Sequence, residues 1–347
     1  MRAVGYRKSL PISDAESLID VDLPRPEPTG RDLLVEVRAV SVNPVDTKVR
    51  RRAEPEPGGV KVLGFDAAGI VAAAGPDAVL FRPGDAVFHA GSIARSGSNA
   101  EFHLVDERIV GRKPSSLSFA QAAALPLTSI TAWEMLFDRL EIRRPVAGAE
   151  NAILIIGGAG GVGSMAIQLA RRLTDATVIA TASRPETAQW CRDLGAHHVI
   201  DHARPLAPQV QALGLGAPGF VFSITQSDVH LADAVELIAP QGRYGLIDDP
   251  PTFDATRFKG KSVSIRWESM FTRPVFQTAD MQAQHDLLNE VARLVDEGVL
   301  RTTLAETFGP IDAANLRRAH AFIESGKARG KIVLEGFQRG DGSGAER

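Results

Sequence analysis

Residues 152–163, AILIIGGAGGVG, constrain the fold of this chain more than any other stretch. The unbroken apolar run from Ala152 to Ile156 reads as a strand buried on both faces, the habit of parallel sheets. It passes directly into a glycine turn in which Gly158, Gly160 and Gly163 satisfy G-x-G-x-x-G. SMAIQLARRL follows, with Val162, Met165, Ala166, Leu169 and Leu173 at helical spacing. A strand, a glycine turn and a helix in that order is the context in which the motif signals a bound dinucleotide. Glycine lets the backbone turn tightly and lets a pyrophosphate approach with no Cβ in the way. The helix N-terminus adds N–H groups and the positive end of its dipole. The positions predicted to hold the cofactor here are Gly158, Gly160, Gly161, Val162 and Gly163. The uncharged run 152–170 is long enough to span a bilayer, but its glycines, Gln168 and the pattern downstream argue against a membrane segment.

That downstream pattern is strand–helix alternation. TVIATA (177–182), HHVID (197–201), GFVFSIT (219–225), RYGLID (243–248) and KSVSIRW (261–267) read as strands with helices between them. This predicts a doubly wound parallel sheet. Residues 1–120 instead read as mostly β, in short apolar runs such as 33–42, 62–75 and 86–90 cut by prolines and glycines. A helical stretch at 116–140 breaks at Pro126, and a final strand, KIVLEGF (331–337), is placed to return to the first domain. At 347 residues the chain has length for about two domains. The boundaries expected are 1–126 with 272–337 for the β-rich domain and 127–271 for the parallel-sheet domain, leaving 338–347 as a disordered tail.

A net charge of −3 gives no reason to expect a nucleic acid or an anionic membrane as partner. No apolar segment follows the basic N-terminal residues, so no secretory signal is expected. The lone Cys191 fits a reducing cytoplasm and reads as inert packing beside Trp190. The run Arg50-Arg51-Arg52 reads as a solvated loop. His197, His198 and His202 are too poorly arranged to share a metal, since strand neighbours point to opposite faces.

NPVDTKVR (43–50), GFDAAGIV (64–71), RPGDAVF (82–88), AAALPLTSITAWEML (122–136), GAHHVID (195–201) and GKARGKIVLEGF (326–337) together resemble the quinone oxidoreductase branch of the medium-chain dehydrogenase/reductase superfamily. The likeness runs in order over about residues 1–337. It implies an α/β architecture: a GroES-like β-rich catalytic domain plus a Rossmann domain. It also implies a homodimer joined edge to edge through the Rossmann sheets. The zinc-dependent branch has a cysteine, a His-Glu pair and a second cysteine as catalytic ligands. Here the first position falls in the NPVD stretch, without cysteine, and the His-Glu position resembles Phe65-Asp66. With one cysteine in the chain, tetrahedral N/S ligation has no evident donors, so no metal is expected.

Sites that prefer NAD commonly end the second strand in an acid that binds the ribose 2′-OH. That strand here ends Thr181-Ala182-Ser183-Arg184. Arg184 and Ser183 suit a 2′-phosphate, which predicts NADPH. Ser183-Arg184-Pro185-Glu186 also reads as an S-x-x-E capping box. Strand ends in open α/β sheets add Ser223, Thr225 and Leu246 as cofactor contacts, and the resemblance adds Lys331.

Hydride addition to a simple ketone yields an alkoxide. Bound zinc eases that demand by lowering the pKa of its water by about nine units, worth roughly 12 kcal/mol. Quinones and α,β-unsaturated carbonyls spread the charge into phenolate- or enolate-like anions and need roughly 8 kcal/mol less. A few preorganised donors can supply the remainder. The missing ligands therefore predict an NADPH-dependent quinone or enone reductase. The resemblance puts Asn43 and Thr128 near the nicotinamide. Lys48, where many relatives carry tyrosine, either stabilises the developing oxyanion or faces solvent. Asp46 reads as fixing a local turn, and Phe65, Trp267, Met270 and Phe271 as an apolar acceptor pocket. Two other readings stay open: a zinc-dependent alcohol dehydrogenase with unconventional ligands, and a non-catalytic NADPH-binding structural or RNA-associated protein.

Overall fold

The structure, a computed structural model, describes residues 1–337, so the tail at 338–347 lies outside the described residues. The chain divides into two compact units. Among the described residues, the first comprises Met1–Leu127, Phe271–Gly298 and 304–337; the second comprises Thr128–Met270 and Val299–Thr303.

In the second unit, six strands form one parallel sheet: β1 (Glu150–Ile156), β2 (Thr177–Thr181), β3 (His198–Ile200), β4 (Pro218–Ser223), β5 (Arg243–Leu246) and β6 (Ser264–Trp267). Their order is β3-β2-β1-β4-β5-β6. This is the dinucleotide-binding order, with its switch point between β1 and β4. β1 lies between β2 and β4 and its apolar residues are buried on both faces, which is why its sequence is a run and not an alternation. Helix α1 (Gly161–Leu173) follows the glycine turn, and α2 (Pro185–Leu194) follows β2. Trp190 of α2 donates its Nε1–H to Ser164 Oγ of α1 at 2.8 Å, locking the two helices side by side.

Val299–Thr303, expected in the first domain, belongs to the second unit. Gln168 on α1 explains the difference: its side chain accepts from the Arg301 N–H at 2.9 Å and donates to the Arg301 carbonyl at 3.3 Å. An amide reaching both backbone groups of one residue captures a passing loop as a strand would.

The first unit is built on the eleven-residue strand Asp32–Val42. It pairs antiparallel with Ala67–Ala74, Phe102–Asp106 and Lys331–Glu335. The C-terminal strand thus returns as expected, setting Ile332 opposite Val42. Helix Pro44–Arg52 leaves the end of this long strand. Arg50 near its C-terminus is fully buried, bonded to the Leu10 carbonyl and paired with Glu324, so the arginine run is helical and its first member is structural.

The stretch 116–140 is helical as expected. Pro126 opens the helix Pro126–Trp133, which continues into the π-helical turn Glu134–Arg139. Among the described residues no helix is long and apolar enough to cross a membrane.

Candidate active site

The glycine turn is shaped by three different constraints. Gly157 sits at φ +90°, a left-handed conformation, and its N–H donates to Thr181 Oγ1 at 3.0 Å. A Cβ on Gly158 would come within 2.9 Å of Ala180 Cβ, and one on Gly163 within 2.3 Å of the Gly157 carbonyl. These two glycines let α1 pack on the sheet. Gly160 differs: its Cβ direction meets only the Gly157 carbonyl, at 3.6 Å, so the turn stays open there. Gly160 is also the N-cap of α1 and has no side chain to satisfy the first-turn N–H groups. The N–H groups of Gly161, Val162 and Gly163 therefore need an external acceptor. A pyrophosphate fits both the open direction and the donors.

The neighbouring strand ends close around this turn. Thr225, just past β4, places its methyl 3.2 Å from where a Gly157 Cβ would lie. Ser223 is fully buried, with its hydroxyl 2.7 Å from Ser227 Oγ, and the Ser227 N–H donates to Asp248 at 2.9 Å. Ser223 is thus a clasp between the ends of β4 and β5. Leu246 is buried in the sheet.

Ser183 is exposed at the end of β2 but does not cap α2. Arg184 is the N-cap, at φ −112° and ψ 146°. Its N–H donates to Thr187 Oγ1 at 3.2 Å, and that hydroxyl donates back to the Arg184 carbonyl at 2.8 Å. The capping box expected from Ser183 to Glu186 is therefore shifted by one residue. Pro185 is the cause, because a residue preceding proline is pushed out of the helical region. Glu186 instead lies 3.1 Å from the half-exposed Arg184 guanidinium. His202, set aside as a metal ligand, lies here too: its Nδ1 is 3.1 Å from Thr181 Oγ1. Burial lowers its pKa below the ordinary imidazole range, and the charge of Arg184 contributes in the same direction. Only its place directly after the third strand hinted at this position. Cys191 is buried behind the turn, and burial pushes its thiol up to about 12, so it stays an inert thiol.

In the first unit the conspicuous feature is a buried polar network on Asn43, Asp46, Asp66 and Lys331. Asp66 Oδ2 accepts from Asn43 Nδ2 at 2.8 Å and Lys331 Nζ at 2.9 Å, while Oδ1 accepts from the Leu127 N–H at 2.7 Å. Burial raises the pKa of Asp66, and Lys331 and these donors pull it back. Three donors and no acceptor face this carboxyl, which is the setting of an ionised group. Lys331 also donates to the Val42 carbonyl at 3.1 Å and to Asn43 Oδ1. An ammonium has three hydrogens, and all three are engaged inside the first unit. Lys331 is therefore structural, and its expected cofactor contact has no donor left to make it.

Asp46 fixes the local turn, as the sequence suggested. It accepts from the Asn43 N–H at 2.8 Å and the Gly64 N–H at 3.0 Å, and burial raises its pKa to about 7. Asn43 keeps one Nδ2 hydrogen with no acceptor among the described residues, once Asp66 and Lys331 are served. Phe65 is buried and meets Phe271 edge to face, with ring centroids 5.3 Å apart. Lys48 is half-buried on the helix after Asn43. In the second unit, Thr128 and Met270 are buried, whereas Trp267 is 55% exposed on the edge strand β6 with its ring against Phe253. Trp267 is thus a surface residue of the sheet edge, packed on Phe253 of its own unit.

The ligand positions of the zinc-dependent branch do not fit that metal here. Asn43 spends its side-chain oxygen on Lys331, Phe65 has no donor atom, and Asp66 is held by Lys331. Among the described residues no group of three or more His, Cys, Asp or Glu side chains is placed to hold a metal ion.

A nucleotide turn on a 3-2-1-4-5-6 sheet, joined in sequence to a β-rich unit with a buried polar network, defines a two-domain oxidoreductase architecture. Residues 29–130 match the alcohol dehydrogenase GroES-like domain family, and residues 194–334 match a family described as zinc-binding dehydrogenase. The zinc-type alcohol dehydrogenase-like protein of Staphylococcus aureus (strain MSSA476) is 39% identical, over 96% of this chain and 99% of that protein. A Rhizobium etli CFN 42 protein described provisionally as a zinc-dependent alcohol dehydrogenase is 66% identical, with a TM-score of 0.96 over 98% of this chain and 99% of that one. The quinone oxidoreductase of Coxiella burnetii is 27% identical, with a TM-score of 0.78 over 96% and 99%. The chain belongs to the medium-chain dehydrogenase/reductase superfamily, in its quinone oxidoreductase-like branch. It is an oxidoreductase of the kind that uses a nicotinamide cofactor.

Proposed function

We propose that this protein is an NADPH-dependent reductase of quinones or α,β-unsaturated carbonyls that works without a metal. The observation that carries this reading is the closed Asn43–Asp66–Lys331 network beside Phe65, where the metal-dependent branch would present ligands. The bound nicotinamide supplies the hydride. The turn at Gly158, Gly160 and Gly163 and the first N–H groups of α1 hold the pyrophosphate. Asn43, rigidly oriented by Asp66 and Lys331, offers its remaining amide hydrogen to the oxyanion that develops on the acceptor. An acceptor that delocalises its own charge needs little more than that. Solvent delivers the proton afterwards.

The test is NADPH consumption against a panel of quinones, enals and alkyl ketones, with and without a chelator. Turnover is expected with the first two classes, slow or none with alkyl ketones, and no effect of chelator. Brisk, chelator-sensitive oxidation of ordinary alcohols would overturn the reading in favour of the metal-dependent relatives.

Cofactor choice rests on Arg184. Its surface ion pair with Glu186 is worth at most about 1 kcal/mol, so a 2′-phosphate dianion displaces Glu186 readily. Arg184→Ala is expected to raise the KM for NADPH about tenfold, in line with one charge-assisted contact of about 1.5 kcal/mol, and to leave the KM for NADH unchanged. Equal effects on both cofactors would dismiss the assignment. We also infer a cytoplasmic homodimer, consistent with the single buried thiol and with β6 as an exposed sheet edge.

A further inference from the structure

The loop that leaves β4, residues 224–228, is held in a conformation that its own sequence does not favour. Gln226 is exposed and sits at φ +53°, in the left-handed region. Glutamine lacks the short side chain that eases asparagine or aspartate into that region. A non-glycine residue stays there only where its surroundings hold it. Here hydrogen bonds hold it from both sides. Before it, the Ile224 N–H donates to the Ile156 carbonyl at the end of β1, at 3.2 Å. After it, the Ser227 N–H donates to Asp248 Oδ2 at 2.9 Å and the Ser227 hydroxyl donates to Asp248 Oδ1. The His230 N–H donates to the Gln226 carbonyl at 3.1 Å.

Asp248 is the strongest of these anchors, because a carboxylate accepts both Ser227 donors with charge assistance. The Ser227 hydrogen is committed to it, so the Ser223 hydroxyl, 2.7 Å away, donates to Ser227 Oγ. Ser223 and Ser227 are fully buried, so water does not readily replace a lost member of this chain. Held in this way, the loop lies across the glycine turn. Thr225 Cγ2 and Ile224 Cβ come within 3.2 and 3.5 Å of where a Gly157 Cβ would stand. Gly157 is itself left-handed, at φ +90°. The first residue of the turn is thus packed against a strained loop that Asp248 keeps in place.

We propose that Asp248 is a positioning residue for the dinucleotide. Through Ser227 it keeps Gln226 left-handed, and so holds Ile224 and Thr225 over Gly157 in the turn that receives the cofactor. It acts through the loop and not on the reacting atoms. The assignment rests on a nicotinamide cofactor occupying the glycine turn, and on neither the choice of NADPH over NADH nor the acceptor. Without the carboxylate, Gln226 relaxes to negative φ and carries Thr225 off the turn. The turn meets the pyrophosphate common to both nucleotides, so both lose affinity alike. That separates the effect from the one expected of Arg184.

The experiment is calorimetric titration of the full chain with NADPH and, separately, NADH at room temperature, beside the melting temperature of each variant without nucleotide. Asp248→Ala is expected to raise the Kd for both about tenfold, the worth of one charge-assisted hydrogen bond. Asp248→Asn keeps an acceptor for the Ser227 N–H and should weaken both by no more than about threefold. Gln226→Gly removes the strain that the carboxylate works against, so in that background Asp248→Ala should also cost less than about threefold. A melting temperature that falls in Asp248→Ala while both affinities stay intact would make the residue merely structural and overturn the proposal. So would a tenfold loss of affinity in both the parent and the Gln226→Gly background, since the strain would then play no part. A parent that binds neither nucleotide refutes the cofactor reading itself, whereas equally tight binding by the parent and Asp248→Ala refutes only the positioning role.

Discussion

Lys331→Met is expected to cost the first unit about 3–5 kcal/mol, the penalty for removing one partner of a buried ion pair. Three acceptors lose their donor at once: Asp66 Oδ2, Asn43 Oδ1 and the Val42 carbonyl. Asp66 is fully buried and its remaining partners, Asn43 Nδ2 and the Leu127 N–H, are neutral, so the stranded carboxyl will take up a proton. The loss should therefore be worst above neutral pH and smaller where the carboxyl is protonated. Combining Lys331→Met with Asp66→Asn removes both charges and should recover most of the stability, since an amide still meets Leu127. The readout must be far-UV circular dichroism against denaturant. All three tryptophans, Trp133, Trp190 and Trp267, lie in the second unit, so fluorescence is blind to the first. A single variant within 1 kcal/mol of the parent at pH 8 would show that Lys331 is not holding a charge. A double variant with restored stability but poor turnover would assign Asn43's orientation, and not mere folding, to this network.

How much of this was legible beforehand depended on how far apart the partners lie in sequence. The glycine turn, its flanking strand and helix and the alternation behind the parallel sheet are local patterns, and each was readable from a dozen residues. The capping of α2 is equally local, yet the S-x-x-E pattern misplaced it. The restriction that Pro185 puts on Arg184 outweighs the match at Ser183. Lys331 was legible only as a residue on a returning strand. Its real partners stand 265 and 288 positions away, and no periodicity reveals them. Arg50 looked solvated because arginines usually are, and only the fold brings Glu324 to it. Trp267 illustrates the reverse error. An aromatic residue in an apolar strand reads as pocket lining, but β6 is the last strand of the sheet and leaves that ring at the surface.

Glu268→Gln is expected to stabilise the second unit at alkaline pH while leaving it unchanged near pH 5. Glu268 follows β6, is almost fully buried, and its carboxylate lies 2.7 Å from Arg139 Nε. Burial first, and then the neighbouring Glu134, raise its pKa to about 9. Arg139 cannot neutralise two carboxylates, so the pair retains one proton through neutral pH. In the unfolded chain the same glutamate releases its proton near the ordinary value of about 4.3. Between about pH 4.5 and 9 the folded state therefore binds more protons than the unfolded one. Stability must fall as pH rises through that window, and level off above it. Glutamine fixes the protonated shape and removes the dependence. The full window sets a ceiling of about 6 kcal/mol at 1.36 kcal/mol per unit, and a shift of Arg139 toward the ionised pair reduces it to on the order of 2 kcal/mol. For a unit of this size that is roughly 5 °C in Tm at pH 9. Trp133 and Trp267 directly precede Glu134 and Glu268, so tryptophan fluorescence reports on the right region. Glu134→Gln should act in the same direction, because the proton belongs to the pair. Parallel Tm–pH curves for the parent and Glu268→Gln would mean that Arg139 already holds both carboxylates ionised, and the shared proton would be refuted.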